Sequence, residues 1–191
     1  TSKQGGTNFT NSLLVGTSGT GTLSSAEKNT GVGTGVLAAL TSGDENTVVG
    51  YNAGTANTTG TLNVALGAYA LDANTTAVQN TAIGGQALSA NSTGATNVAV
   101  GYNALCSNTT ASNNVAIGST TMRANTTGCL NTGVGVGALL GNTEGCQNTA
   151  IGAVAMEDNT TGDNNTSVGF QALCSNTTAD NNTAVGKDAL L

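Results

Sequence analysis

The side chains best suited to chemistry in this chain stand at intervals that are multiples of 17 residues. They are the cysteine pairs Cys129/Cys146 and Cys106/Cys174 and the aspartate pair Asp163/Asp180. Two cysteines can form a disulfide, and two close carboxylates can bind a cation or serve as the acid and base of a glycosidase. Histidine, the usual general base and the commonest metal ligand, does not occur in the sequence. The interval of 17 therefore decides which of these side chains can meet.

That interval is the period of a repeat that fills almost the whole chain. An asparagine recurs every 17 residues without insertion or deletion, and each is followed four residues later by a glycine that has an aliphatic residue before it. The asparagines are Asn29, Asn46, Asn63, Asn80, Asn97, Asn114, Asn131, Asn148, Asn165 and Asn182. A strict short period is typical of a solenoid, in which one repeat is one coil that cannot bury its apolar face alone. We number the positions of each coil from 1, at this asparagine, to 17.

The residue types within a coil predict an all-β parallel solenoid. A glycine in every coil and β-branched residues in its extended segment oppose helix. Positions 2 and 4 hold Thr or Val and an aliphatic residue, and we expect both to face the core. The position-5 glycine should turn the chain, and the Ala-Leu pair at positions 8 and 9 should point inward. The predicted rod has about eleven coils over residues 12–191, the first degraded, stacked about 4.8 Å apart, and residues 1–11 precede it as a cap or joint.

The stacking of coils predicts which cysteines can bond. Cys129 and Cys146 fall at the same position of neighbouring coils, so their Cα atoms should lie about 5 Å apart, within the range of a disulfide. Cys106 and Cys174 share a position but lie four coils apart, about 19 Å along the rod, so we expect them to be free or bonded to another chain. An intrachain bridge would favour an oxidising, extracellular compartment. The alternative is that all four are small core residues.

Asp163 and Asp180 also share a position in neighbouring coils, which makes them a weak candidate for a metal site. A convex rod offers no cleft for catalysis, and Asn164 and Asn181 beside them suit a solvated turn. We therefore expect no enzyme activity and no cofactor. The net charge of −6 with four cations argues against nucleic-acid binding, and no apolar run approaches the ~18 residues of a transmembrane helix.

The third side of the coil repeats Asn-x-Thr at positions 12 to 14, and this row supports three readings. In a secreted eukaryotic protein the asparagines of this row would be glycosylated. In any other protein the motif indicates only that Asn and Thr suit this turn. A regular row of threonines could also order water as an ice-binding face. The sequon asparagines are Asn57, Asn74, Asn91, Asn108, Asn125, Asn159 and Asn176. At position 6 we expect Tyr51, Tyr102 and Phe170 to point outward, either as contacts to sugars or a partner chain or as ordinary surface aromatics.

The stretch Ala-Ile-Gly-x-x-Ala-Leu, as in residues 82–88, resembles the repeat of trimeric autotransporter adhesin heads. Arrays of Asn-Thr-Ala-Val-Gly-Tyr-Asn-Ala-Leu also resemble phage tail-fibre-like proteins. The resemblance covers residues 12–191, although the adhesin-head repeat is shorter and the additional residues here fall in the Asn-Thr-Thr-Gly side. Those heads are left-handed β-rolls that associate as trimers on bacterial surfaces. The resemblance therefore implies a left-handed rod at a cell surface, in the extracellular space or on a virion, where it meets surface glycans or a host receptor.

These observations predict a structural or adhesive rod of a surface fibre, with an ice-binding solenoid that uses the Asn-x-Thr face as the alternative. The rod should self-assemble head to tail or as a trimer, without inserting into a membrane. Leu191 directly follows the apolar pair of residues 189–190 without a polar cap, and solenoids normally cover their last coil. We therefore expect residues 1–11 of a second copy to lie at a head-to-tail joint.

Overall fold

The computed structural model describes residues 2–4, 9–16 and 22–191, and they form the parallel β-solenoid that the period predicts. Each regular coil contributes one strand of three residues at positions 2 to 4, and the position-5 glycine follows directly. The strands are β1 Ser2–Gln4, β2 Phe9–Thr10, β3 Leu13–Val15, β4 Ala26–Glu27, β5 Thr30–Val32, β6 Thr47–Val49, β7 Val64–Leu66, β8 Thr81–Ile83, β9 Val98–Val100, β10 Val115–Ile117, β11 Thr132–Val134, β12 Thr149–Ile151, β13 Thr166–Val168 and β14 Thr183–Val185.

One sheet runs the length of the rod. Strands β3 and β5 to β14 pair in parallel and in sequence order, and each residue lies opposite the one 17 positions later, so that Val98 faces Val115. Strand β1 pairs antiparallel with β3 at the first edge, and β2 pairs with β4 in a separate two-stranded sheet. Part of the N-terminal segment thus pairs within its own chain. Thr1 and residues 5–8 of that segment, and residues 17–21 of the degraded coil, lie outside the described residues.

The prediction that positions 2 and 4 face the core is wrong. Position 3 points inward, so Ala99 and Ala116 are fully buried, whereas the position-4 side chain of Ile117 is 42% exposed. The reason is volume: the interior of a 17-residue coil already holds the leucine of position 9, and only a small residue fits opposite it. Where position 3 is glycine, larger side chains fill the space, and a Cβ on Gly31 would lie 2.6 Å from Cγ1 of Val36.

The prediction for positions 8 and 9 is confirmed. Ala104 and Leu105 are fully buried, and in other coils Met122 and Met156 replace the leucine without becoming exposed. These side chains stack on their equivalents in the next coil and form one continuous, narrow core. Burial of a leucine-sized side chain contributes about 1.5–3 kcal/mol, so the core is stabilised by many equal increments along the rod.

The backbone is left-handed at four positions of a regular coil. The position-5 glycines have φ between 125° and 141°, as expected, and a Cβ on Gly101 would lie 2.3 Å from the carbonyl oxygen of Gly118. Positions 7, 9 and 17 are also left-handed, yet most of them are not glycine: φ is 56° at Asn103, 51° at Leu105 and 62° at Asn113. Such a conformation costs about 1–2 kcal/mol per residue, so packing and inter-coil hydrogen bonds must offset it.

Two columns of buried asparagines run through the core. In the position-1 column, each Oδ1 accepts the backbone N–H of the next asparagine at 2.9–3.1 Å. Each Nδ2 from Asn29 to Asn165 donates to the position-15 carbonyl at 2.7–2.9 Å. In the position-12 column, each Nδ2 from Asn74 to Asn176 donates to the Oδ1 of the preceding asparagine. Buried amides are thereby paired, which is the condition for burying them at all.

Candidate functional site

Cys129 and Cys146 are the one predicted pair whose side chains meet directly. Their Sγ atoms are 2.9 Å apart, and the Cys129 N–H also donates to the Cys146 sulfur at 2.9 Å. Both are thiols in the structure and only partly buried. The Cys146 side chain, followed by partial burial, raises the pKa of the Cys129 thiol above its ordinary value. The fold therefore brings together the two sulfurs that a disulfide would join, and the bond itself stays a prediction.

Cys106 and Cys174 are held apart by the coils between them. Both thiols are partly exposed at position 10, and the Cys106 sulfur lies 3.7 Å from the carbonyl oxygen of Arg123 in the next coil. Neither can reach the other across four coil spacings of about 4.8 Å each. Both are thiols in the structure, and a bond from either to another chain stays a prediction.

Asp163 and Asp180 belong to a column of side-chain acceptors at position 16. The Cys146 N–H donates to Oδ1 of Asp163 at 2.6 Å, and the Asp163 N–H donates to Oδ1 of Asp180 at 2.7 Å. Near the other end of the rod, Asp44 accepts the Glu27 N–H in the same way at 2.7 Å. One oxygen of each carboxylate therefore holds the backbone of the preceding coil. In the part of the chain that the structure describes, no three His, Cys, Asp or Glu side chains gather as a metal site would require.

The sequon asparagines point into the core, which contradicts their reading as glycosylation sites and as half of an ice-binding face. Asn57, Asn91 and Asn108 are at most 2% exposed, and their Nδ2 atoms, to which a glycan would be attached, are occupied by hydrogen bonds. Asn74, Asn125 and Asn159 are equally buried, and Asn176 in the last coil is partly exposed. A glycan at Nδ2 has no room in a folded coil. The motif repeats because position 12 of most coils carries a buried amide that bonds to its equivalents in the neighbouring coils.

The threonines of the same turn divide into two rows with different roles. At position 13 the hydroxyl donates to the position-13 carbonyl of the next coil, as from Thr58 to Thr75 at 3.0 Å. At position 14 the threonines are exposed, and the row is interrupted by Glu144. They are Thr59, Thr76, Thr93, Thr110, Thr127, Thr161 and Thr178. This second row is a regular line of hydroxyls turned toward solvent.

The aromatic residues of position 6 point outward, as predicted, but they do not form a common platform. Tyr51, Tyr102 and Phe170 are about half exposed and are separated by several coils. Tyr51 packs edge-on against Tyr69, with ring centroids 5.3 Å apart and an interplanar angle of 83°. The Nζ atom of Lys187 lies 6.0 Å from the centre of the Phe170 ring. Each aromatic could therefore contact a ligand only singly.

A row of apolar side chains follows the outer side of the sheet, and we call this surface the outer ridge. It consists of the position-4 side chains and their equivalent in β3: Val15, Val32, Val49, Leu66, Ile83, Val100, Ile117, Val134, Ile151, Val168 and Val185. Seven of these eleven residues expose 38–69% of their surface, and the remaining four are partly exposed. The same residues had been expected in the core, so this surface was missed. Nearly every coil has a small residue at position 3, between positions 2 and 4. That pattern indicates that position 3 faces the narrow core and position 4 faces outward, and it could have revealed this surface.

No protein-family model matches the sequence, and neither the curated proteins nor the solved structures contain a match. Within the described ranges there is no helix long and apolar enough to cross a membrane.

Proposed function

We propose that this chain is a non-catalytic structural or adhesive rod of an extracellular or virion surface fibre and that it works by self-association. The observation that supports the proposal is that the polar side chains of the rod bond to neighbouring coils. Both asparagine columns and the position-13 threonines are occupied by hydrogen bonds between coils, so these groups build the rod rather than a reactive site. The resemblance to adhesin heads and tail fibres supports the same function.

Electron microscopy of the purified chain tests the structural part of this proposal. Eleven coils at about 4.8 Å each make a rod about 50 Å long. We expect assemblies of such rods, as bundles or as filaments longer than one chain. Isolated single rods at high protein concentration would contradict the proposal.

The adhesive part of the proposal concerns surface glycans or a host receptor. Tyr102 is the most exposed of the three position-6 aromatics, at 58%, and an aromatic face can stack on a sugar ring. We expect binding to a glycan array to fall after Tyr102→Ala, while Tyr69→Ala, which alters a ring already packed against another, serves as the matched control. Equal binding by both variants and the unchanged chain would remove Tyr102 from the proposal.

Ice binding is the second candidate, and the exposed position-14 threonines favour it. Their hydroxyls recur once per coil, and the asparagines that were expected beside them are buried. If this row orders water, the chain produces thermal hysteresis, and replacing Thr93, Thr110 and Thr127 by lysine abolishes it. A solution of the unchanged chain without a freezing gap would exclude this candidate.

A further inference from the structure

We infer that the outer ridge is a contact surface between two copies of this chain, which pack sheet against sheet as a two-fold dimer. This inference specifies the surface through which the self-association of the proposed function takes place. Each ridge is covered by the ridge of the other copy, so the contact closes with two chains.

The distribution of charge permits a second copy to approach this surface. The chain has a net charge of −6, which would make two copies repel one another at most surfaces. None of that charge lies on strand β3 or on strands β5 to β14, whose residues are all Thr, Ser, Gly, Ala, Val, Leu or Ile. Like charges therefore do not face each other when two of these sheets meet, and the apolar ridge supplies the attraction.

The area of the ridge is sufficient for a stable pair. Seven of its eleven side chains are at least 38% exposed, which amounts to on the order of 700 Å² of apolar surface, close to the ~800 Å² per partner of a standard stable interface. Monomeric soluble proteins seldom expose a continuous apolar patch larger than roughly 300–600 Å². Partial exposure of position 2 beside the ridge adds threonine and valine surface to the same face.

The register of the sheet explains why the partner is another copy rather than an unrelated protein. Equivalent residues such as Ile83, Val100 and Ile117 stand opposite one another in successive strands, so the ridge has the spacing of the strands themselves. A partner surface matches it along the whole rod when it has both the same strand spacing and the same length, and a second copy has both. Pairs of in-register sheets interdigitate in this way about 10 Å apart, with a dry interface between them.

Sedimentation equilibrium of the intact chain and of three variants tests the inference. The smallest assembly of the unchanged chain should have twice the mass of one chain, which is 18.4 kDa. Replacing Ile83, Ile117 and Ile151 by lysine should give a monomer, and replacing them by threonine should weaken pairing about a hundredfold or more. Threonine is β-branched and already occupies position 2 of many coils, so this variant should keep the fold. Circular dichroism and thermal melting verify the fold of each variant.

The matched control places lysine at Thr93, Thr110 and Thr127, which are exposed on the turn side of the same region. It adds the same three positive charges and should remain dimeric. A dimer that survives both ridge variants would overturn the inference and leave self-association through another surface. A trimer of the unchanged chain would also overturn the inference. A monomer whose ridge binds a hydrophobic dye would overturn it too, and would indicate that the ridge binds a different protein. Dimers without larger assemblies in the microscope would support the inference and contradict the fibre.

Discussion

The two asparagine columns look alike in the sequence but hold different parts of the structure. At position 1 the Oδ1 of Asn114 accepts a backbone N–H, that of Asn131 in the next coil. At position 12 the Oδ1 of Asn108 accepts only from another side chain, the Nδ2 of Asn125. The oxygens of the first column therefore accept hydrogen bonds from backbone N–H groups. The oxygens of the second column accept from the Nδ2 groups of the same column, and each of those Nδ2 groups also donates to one backbone carbonyl per coil.

The repeat itself contains a test of this difference. Leucine replaces asparagine at position 12 of one coil, where Leu40 is fully buried below Asn57, whereas position 1 is asparagine in all ten regular coils. In the degraded coil the hydroxyl of Ser12 takes over the position-1 role and accepts the Asn29 N–H at 2.8 Å. An apolar residue is thus accommodated in the second column, and a hydrogen-bond acceptor is kept in the first.

Replacing Asn114 by leucine should have the largest effect. The Asn131 N–H loses its acceptor, whereas the Gly128 carbonyl still accepts from Nδ2 of Asn125 at 2.9 Å. A buried backbone N–H left without a partner costs about 1–3 kcal/mol. We expect the free energy of unfolding to fall by about 2–3 kcal/mol, as measured by urea denaturation. Hydrogen exchange at the Asn131 amide should accelerate more than at amides several coils away. A loss below about 1 kcal/mol would contradict the role given to the first column.

The same replacement at Asn108 should cost less and sharpens the comparison. The Oδ1 of Asn91 loses its donor and the Ala111 carbonyl loses a second donor, but Nδ2 of Asn97 still donates to that carbonyl at 2.9 Å. Leucine at this position has a precedent in Leu40. Urea denaturation should show a loss of about 1–2 kcal/mol. If Asn108→Leu and Asn114→Leu destabilise the chain equally, the distinction between the columns is wrong.

The smallest expected change in stability concerns Asp72, which has a buried acceptor and lies outside both columns. Oδ1 of Asp72 is buried and has no hydrogen-bond partner, the one such side-chain atom among the described residues. Burial raises the pKa of this carboxyl above 3.8, so the neutral form is favoured in the folded chain. The stability from this shift is fully present below pH 3.8 and is lost as the pH rises through the raised pKa.

At pH 7 the charged Asp72 is therefore a cost, and Asp72→Asn should stabilise the chain. The gain should be no more than about 1 kcal/mol, because the residue is partly exposed and solvent screens its charge. Thermal melting at pH 7 and below pH 4 measures it, and the advantage of the variant should disappear at the lower pH. Asp180→Asn, at an exposed position, is the control. A variant that melts below the unchanged chain at pH 7 would contradict the assignment.

The period was enough to predict the stacking of this fold and the meeting of Cys129 with Cys146, because equal spacing places equal positions one above another. It could not decide which side of the strand faces inward. Successive side chains of a strand point to opposite faces, so either face could be the buried one. Both the alanine of position 3 and the valine of position 4 are apolar, so polarity does not distinguish the two faces. The left-handed backbone at Leu105 was equally hidden, since leucine has no preference for that conformation. Asn108 resembled a glycosylation site because a three-residue motif says nothing about burial.

The direction of the hydrogen bonds between coils has a mechanical consequence. Bonds such as that from the Val115 N–H to the Asn131 carbonyl, at 2.8 Å, join one coil to the next and so lie along the length of the rod. Tension on the two ends would therefore open one interface at a time, beginning at a terminal coil. Each opened coil would release 17 residues, about 55 Å of extended chain beyond its original rise. Under load such a rod would lengthen in equal steps and dissipate work at each one, instead of breaking at a single point.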